Sequence, residues 1–215
     1  MTDTAPPAHA SGPPSPALDG CAAATARLLE RLGEIDDLVI RRPCRLPGWT
    51  VGHLLTHLAR SADGMAQVLE AAAVGERLAQ YPGGRPQRAA DIEEGATRSA
   101  AACLNDVRRS AEHLETTFAE ASDAVWESSG LGWEGEPWPC RQIPFRRWRE
   151  VEFHHVDLGF GYEAEDWPED FVSLALVDTL DVLPARIGEL GQRARFLAWL
   201  AGRRDNPGVI DFAPF

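Results

Sequence analysis

Hydrophobic residues recur every three or four positions along most of the chain, which is the spacing typical of amphipathic α-helices. The clearest stretch begins after Thr50, a residue type that is favoured at helix N-caps, and continues to about Gly75. Its apolar positions follow steps of three and four throughout: Val51, Leu54, Leu58, Ala62, Met65 and Leu69. The pattern therefore predicts a long helix with one hydrophobic face.

The same spacing predicts more helices before and after this one. Their expected spans are Ala17 to about Val39, Ala89 to about Ala121, Phe145 to about Gly159, Glu169 to Ile187, and Ala194 to Leu200. The segment from Glu127 to Pro144 is rich in Gly, Trp and Pro and is expected to form an ordered loop or short strands. Because alternating Val/Ile-rich strands are scarce, we predict a mainly α fold with a four-helix bundle as its core.

The length of 215 residues suits one domain with a sizeable core, or one domain plus a small appendage. We expect a disordered tail over residues 1–16, a helical bundle over residues 17–162 and a C-terminal region over residues 163–215. The tail is rich in Ala, Pro and Ser and lacks both a basic start and an apolar run, so it does not resemble a signal peptide. No stretch of about 18 apolar residues is present, and no membrane span is expected.

The net charge of −12 narrows the range of partners. A chain this acidic lacks the basic surplus that duplex nucleic acid requires, and it is not expected to bind an acidic membrane surface. Local arginines could still bind small anions. The cysteines are far apart and form no CxxC pair, which favours free thiols in a reduced, cytoplasmic setting over a disulfide scaffold or a zinc finger. They are Cys21, Cys44, Cys103 and Cys140.

The helix expected from Phe145 to Gly159 carries an unusual polar face. Spacings of three, four and three place four of its residues on one side: Arg147, Glu150, His154 and Asp157. Carboxylate and imidazole groups beside a core are costly unless something pairs them, and a divalent metal would do so. A Glu four residues before a His is also common on solvated helices, so this pair alone is weak evidence.

The helix that follows Thr50 supplies further imidazoles. His57 borders the apolar stripe beside Leu54 and Leu58, and His53 lies one turn earlier. Taken alone, this pattern more often means a partly buried core histidine or an exposed HxxxH pair. Two candidate half-sites on amphipathic helices of one bundle strengthen the metal interpretation, because facing helices in bundle cores assemble metal sites.

Three segments of the chain resemble the mycothiol-dependent maleylpyruvate isomerase family, which belongs to the DinB-like metal-binding four-helix bundles. They are LPGWTVGHLLTHLA at residues 46–59, REVEFHHVDLG at residues 149–159 and LAGR at residues 200–203, in the same order as in the family. The resemblance covers about residues 17 to 205. It implies a DinB-like four-helix bundle, here with a short, reduced C-terminal region because only about 50 residues follow Tyr162.

The resemblance also implies roles for particular residues. His57, Glu150 and His154 would hold a divalent metal, expected to be zinc. Arg203 would be the catalytic arginine of a Gly-Arg motif. His53 ranks second as a ligand because it lies one turn from the position that the motif assigns.

Other polar residues near these motifs have alternative interpretations. His155 points about 100° away from His154 around the helix and is expected to be structural. Asp157 could orient a metal ligand or be a surface charge, and the two are equally favoured. For Arg147 and Arg149, a surface or intramolecular salt bridge is favoured over binding of a substrate carboxylate. Trp49 is expected to anchor the start of its helix.

The function implied by the resemblance is cis-trans isomerisation of maleylpyruvate with mycothiol as co-substrate. Two His and one Glu leave zinc an open position, where a bound thiol loses its proton more readily. The expected partners are therefore a small thiol and a small electrophilic or carboxylate substrate. Two alternatives remain, a mycothiol S-transferase acting on electrophiles and a non-catalytic DinB-like metal-binding protein.

Overall fold

The structure, a computed structural model, describes residues 12–33, 35–132, 135–187 and 190–203. This part of the chain is mainly helical, which confirms the predicted fold class. It falls into two compact units that divide between Asp166 and Trp167. Residues 1–11 of the predicted tail lie outside the described residues, and the first helix begins at Ser15, two residues before its predicted start.

The first unit contains six α-helices among the residues described. They are α1 (Ser15–Leu32), α2 (Val51–Ala73), α3 (Gly84–Ala96), α4 (Ala100–Glu120), α5 (Asp123–Glu127) and α6 (Ile143–Asp157). Short 3-10 helices span Cys140–Gln142 and Ala164–Asp166. Helices α1, α2, α4 and α6 form the four-helix bundle, in which α2 packs against α4 and α6, and α1 packs against α6 and α4. Helix α3 lies against α2.

The segment rich in Gly, Trp and Pro forms the short strands that its composition allowed. Strands β1 (Ser129–Leu131) and β2 (Pro137–Pro139) pair antiparallel, with Gly130 opposite Trp138. The second unit contains α7 (Glu169–Arg186) and α8 (Leu190–Leu200). Of the helices described, none has the length and low charge content that crossing a membrane would require.

Helix α1 ends earlier than predicted, at Leu32 instead of Val39. Gly33 adopts a positive φ of 46° and its N–H bonds to the carbonyl of Leu29, an end that glycine permits without strain. Asp36 then accepts hydrogen bonds from the N–H groups of Leu38 and Val39. This side chain gives the backbone an alternative to helix, so the chain turns here.

The helix predicted from Ala89 to Ala121 is in fact two helices, α3 and α4, and the prediction of one helix is wrong. The side chain of Ser99 accepts a hydrogen bond from the N–H of Ala102 and so starts α4. Helix α3 begins at Gly84, before the predicted start. The apolar spacing continues across the break, which is why periodicity alone suggested one element.

Two contacts fix where α2 begins relative to its neighbours. A Cβ added to Gly52 would lie 2.7 Å from the carbonyl oxygen of Ala96, so only glycine allows the end of α3 this close. The side chain of Thr50 accepts from the N–H of His53, while the His53 ring reaches back to the N–H of Thr50. This reciprocal capping sets the first turn of α2.

The loop before α2 is also tied to the end of α6. The N–H of Arg45 donates to the carbonyl of Asp157 at 2.8 Å, and its guanidinium pairs with Glu163. The start of α2 therefore lies beside the C-terminal turn of α6, the two places where the candidate ligands were predicted.

Candidate metal centre

The structure brings His57, Glu150 and His154 together at the contact between α2 and α6. His57 lies in the second turn of α2 and is only 6% exposed. Glu150 and His154 are one turn apart on α6 and point to the same side. The side chain of Glu150 keeps 30% of its surface exposed, which leaves the cluster accessible from solvent.

The ligand atoms are close enough to share one ion. His57 Nε2 lies 3.0 Å from Glu150 Oε2 and 3.0 Å from His154 Nε2, and the remaining pair, His154 Nε2 and Glu150 Oε2, is 3.6 Å apart. Two atoms at about 2.0–2.2 Å from a tetrahedral zinc ion are about 3.3–3.6 Å apart. The observed spacing is close to that range without any movement of the backbone.

The chemistry of the three groups also fits a cation. Each of these two imidazole nitrogens and the carboxylate oxygen can present a lone pair to the cluster, and few protons are present there to receive them. A cation can accept a lone pair from each of the three atoms. Two His and one Glu form a donor set used by zinc sites that keep an open position. The residues present therefore fit a divalent metal.

Burial and hydrogen bonding give the two histidines different protonation states in the absence of metal: His57 is neutral and His154 is protonated. Burial lowers the pKa of His57 to about 4, although its contact with Glu150 acts in the other direction. Burial also disfavours the charged form of His154, but hydrogen bonds to Asp157 and Glu150 outweigh it and raise its pKa to about 9. Burial would raise the pKa of Glu150, yet its contacts with His154 and His57 hold that pKa well below its usual value.

The groups behind the two imidazoles differ. Asp157 Oδ2 lies 2.8 Å from His154 Nδ1, so it can accept a hydrogen bond from the N–H of that nitrogen. A carboxylate behind a ligating histidine fixes its tautomer and makes it a better ligand. His57 Nδ1 instead faces the guanidinium of Arg88, 3.0 Å away on α3. Of the two interpretations of Asp157, the geometry favours the orienting one.

Trp49 and His53 lie next to the cluster. The Trp49 ring contacts His57 edge-on at 5.7 Å and stacks on His53 at 6.2 Å. The ring of His53 is engaged in capping α2 and in a 3.4 Å contact with Glu93, so it does not join the three ligand candidates. Trp49 therefore anchors the start of α2, as expected, and also borders the site.

A surface or intramolecular salt bridge was the favoured expectation for Arg147, and the structure excludes the surface position. Its side chain is only 1% exposed, and it donates to the carbonyl of Leu58 at 2.9 Å. Burial lowers the pKa of its guanidinium, opposed by nearby acidic groups that include Glu150. Arg147 thus joins α6 to α2 from within the bundle. Arg149 is half-buried.

His155 faces a different part of the bundle from His154. It is 2% exposed and its ring stacks on Tyr162 with the centroids 3.9 Å apart. This environment agrees with a structural role. Arg203 is exposed and follows α8 in the second unit, so its catalytic role stays a prediction.

Sequence reasoning missed Tyr81, which lies on the connection between α2 and α3, and Arg88, which lies on α3. The guanidinium of Arg88 lies 5.8 Å from the centre of the Tyr81 ring. Burial raises the pKa of the Tyr81 hydroxyl, and the charge of Glu150 acts in the same direction. No motif or periodicity points to either residue, because the contact of Arg88 with His57 spans 31 positions of sequence.

The comparisons with known proteins identify the family of the chain. The sequence profile of the mycothiol maleylpyruvate isomerase N-terminal domain matches residues 21–159, which include all three ligand candidates. The chain belongs to this family. A crystal structure of the mycothiol-dependent maleylpyruvate isomerase is 27% identical with a TM-score of 0.71, over 75% of this chain and 67% of that chain.

A crystal structure of a histidine-to-alanine mutant of that isomerase gives the same TM-score and coverage at 26% identity. A search of the curated proteins found no significant match. Family membership supports an isomerase-like function that depends on mycothiol, and the likeness to the solved isomerase confirms the DinB-like helical fold that the motifs implied.

Proposed function

We propose that this chain is a metal-dependent enzyme that uses mycothiol to isomerise maleylpyruvate, with zinc held by His57, Glu150 and His154. The observation that carries the proposal is the convergence of these three side chains within 3.0 to 3.6 Å in a member of the isomerase family. Accessibility at Glu150 gives a small molecule a route to the cluster.

A bound zinc ion would supply Lewis acidity, which lowers the pKa of a thiol so that its thiolate is available at neutral pH. The rest of the site positions that chemistry. Asp157 accepts a hydrogen bond from the Nδ1–H of His154, which favours the tautomer whose Nε2 lone pair faces the cluster. Trp49 shields one side of His57 from water.

The proposed reaction consumes no thiol. The mycothiol sulfur adds to one carbon of the cis double bond, and the electron pair of that bond moves towards the conjugated carbonyl. Rotation about the resulting single bond follows, and the double bond forms again in the trans geometry as the carbon–sulfur bond breaks. Arginines suit the substrate carboxylates, and Arg203 is the proposed catalytic member.

A turnover assay tests the proposal. The full chain, loaded with zinc, is mixed with mycothiol and maleylpyruvate, and formation of the trans product is followed. We expect product only when zinc and mycothiol are both present, with mycothiol recovered unchanged. Mycothiol consumed by an added electrophile, without isomerisation, would indicate the S-transferase instead. No zinc-dependent turnover of either kind would favour a non-catalytic metal-binding protein.

A further inference from the structure

The two histidines of the candidate metal centre have different neighbours at Nδ1, one a hydrogen-bond acceptor and the other a hydrogen-bond donor. Behind His154 lies the carboxylate of Asp157, which accepts a hydrogen bond from the Nδ1–H of His154. Behind His57 stands the Arg88 guanidinium, 3.0 Å from Nδ1. A guanidinium has five N–H donors and no acceptor, so Nδ1 of His57 must accept in this arrangement.

This contact decides where the His57 proton lies. A neutral imidazole carries one proton, and if Nδ1 accepts from Arg88, the proton is on Nε2. From Nε2 it can be donated to Glu150 Oε2, which lies 3.0 Å away. A metal bound at Nε2 requires the other tautomer, with the proton on Nδ1. In that state an N–H of Arg88 would face the N–H of His57, and the contact would repel.

We propose that Arg88 and a metal ion compete for His57. Without metal, the guanidinium of Arg88 donates a hydrogen bond to His57 Nδ1, and metal binding displaces the guanidinium from that nitrogen. This inference rests on the metal site of the proposed function. The displaced side chain remains on α3 beside the site, and its paired N–H groups can donate two parallel hydrogen bonds to one carboxylate. Metal loading thereby makes Arg88 available to a dicarboxylate substrate, which makes it a substrate-positioning residue.

Zinc affinity of the full-length protein tests the competition. We would titrate zinc against a competing chelator into wild type, Arg88→Met and Arg88→Gln. Methionine removes both the donor and the charge, whereas the glutamine oxygen can also accept the Nδ1 proton. We expect Arg88→Met to bind zinc more tightly than wild type. Arg88→Gln should bind it more tightly still, by about tenfold or more relative to wild type, which is the scale of effect typical of groups behind metal ligands.

Two outcomes would overturn the competition. Equal affinity in wild type and both variants means that Arg88 does not oppose the metal. Equal gains in Met and Gln would reduce the effect to charge repulsion and remove the role of the tautomer. Arg85→Gln, three residues earlier on α3, is the matched control and should leave the affinity unchanged. If wild type itself binds no zinc, the proposed function fails, a result distinct from either of these.

Binding of maleate tests the second half of the inference. With zinc loaded, wild type should bind this dicarboxylate about tenfold more tightly than Arg88→Met, and Arg88→Lys should recover part of the difference because it retains the charge. Calorimetry provides this comparison without turnover. Equal maleate affinity in wild type and Arg88→Met would overturn the assignment of Arg88 to the substrate.

Discussion

At the scale of single residues, the charge states of three side chains set how the site behaves. Without metal, Glu150 is ionised, His57 is neutral and His154 is protonated, because the pKa of His154 is raised to about 9. A ligating imidazole must be neutral. Metal binding at neutral pH therefore has to release a proton from His154, whereas His57 has none to release.

This difference predicts the pH dependence of zinc binding. Between pH 7 and about 9 the apparent zinc affinity should rise by about tenfold per pH unit and then level off, since His154 loses its proton there. Chelator competition at a series of pH values measures it. In Asp157→Asn the carboxylate that raises the pKa of His154 is gone, so the plateau should begin at lower pH. An affinity that is flat from pH 7 to 9 in wild type contradicts the assignment.

The sequence predicted part of the site at this scale. Glu150 and His154 share a helix face through their spacing, and His57 borders an apolar stripe, so their convergence followed from helix geometry and the family motifs. The burial of Arg147 did not follow, because an arginine at the edge of a stripe is usually solvated. Arg88 was missed because its contact with His57 spans 31 positions of sequence and joins two different helices.

At the scale of elements, the site depends on where α2 starts. The loop of residues 35–50 is fixed to α6 through Arg45, and the close approach of Ala96 to Gly52 fixes α3. The spacing of apolar residues says little about where helices such as these begin and end. The end of α1 at Gly33 and the break before α4 at Ser99 depend on single residues that interrupt an otherwise continuous pattern, so the sequence predicted the helices better than their boundaries.

Gly52→Ala tests the close approach of α3 to α2. The added Cβ would lie 2.7 Å from a backbone oxygen that cannot rotate away, so we expect the free energy of unfolding to fall by about 1–3 kcal/mol despite the better helix propensity of alanine. Urea unfolding measures the change. Gly191→Ala is the matched control, because Gly191 is also the second residue of its helix and, among the described residues, an added Cβ would meet no atom closer than 3.9 Å. Equal effects of the two substitutions would contradict a steric role for Gly52.

At the scale of the whole molecule, the candidate metal ligands and the proposed catalytic arginine belong to different units. The three ligand candidates lie in the first unit and Arg203 lies in the second. The helical periodicity of the sequence predicts helices in both units but contains no information on how two units are arranged. The role of Arg203 therefore needs a measurement that separates chemistry from metal binding.

Arg203→Ala provides that separation. Zinc affinity should stay at the wild-type value because no ligand candidate changes. Turnover of maleylpyruvate should fall by about 100-fold if Arg203 positions a substrate carboxylate. Arg195→Ala, a partly exposed arginine of α8, is the control and should retain activity. Full activity in Arg203→Ala would exclude Arg203 from the reaction.

The most direct test of the account is the zinc content of the purified chain and its variants. Wild type should hold one zinc ion per chain, and His57→Ala, Glu150→Ala and His154→Ala should each lose it, since each removes one of three ligands. His53→Ala, one turn away on α2, should retain zinc, with circular dichroism to show that each variant is folded. Full zinc occupancy in His57→Ala, or its loss in a folded His53→Ala, would contradict the assignment of the site.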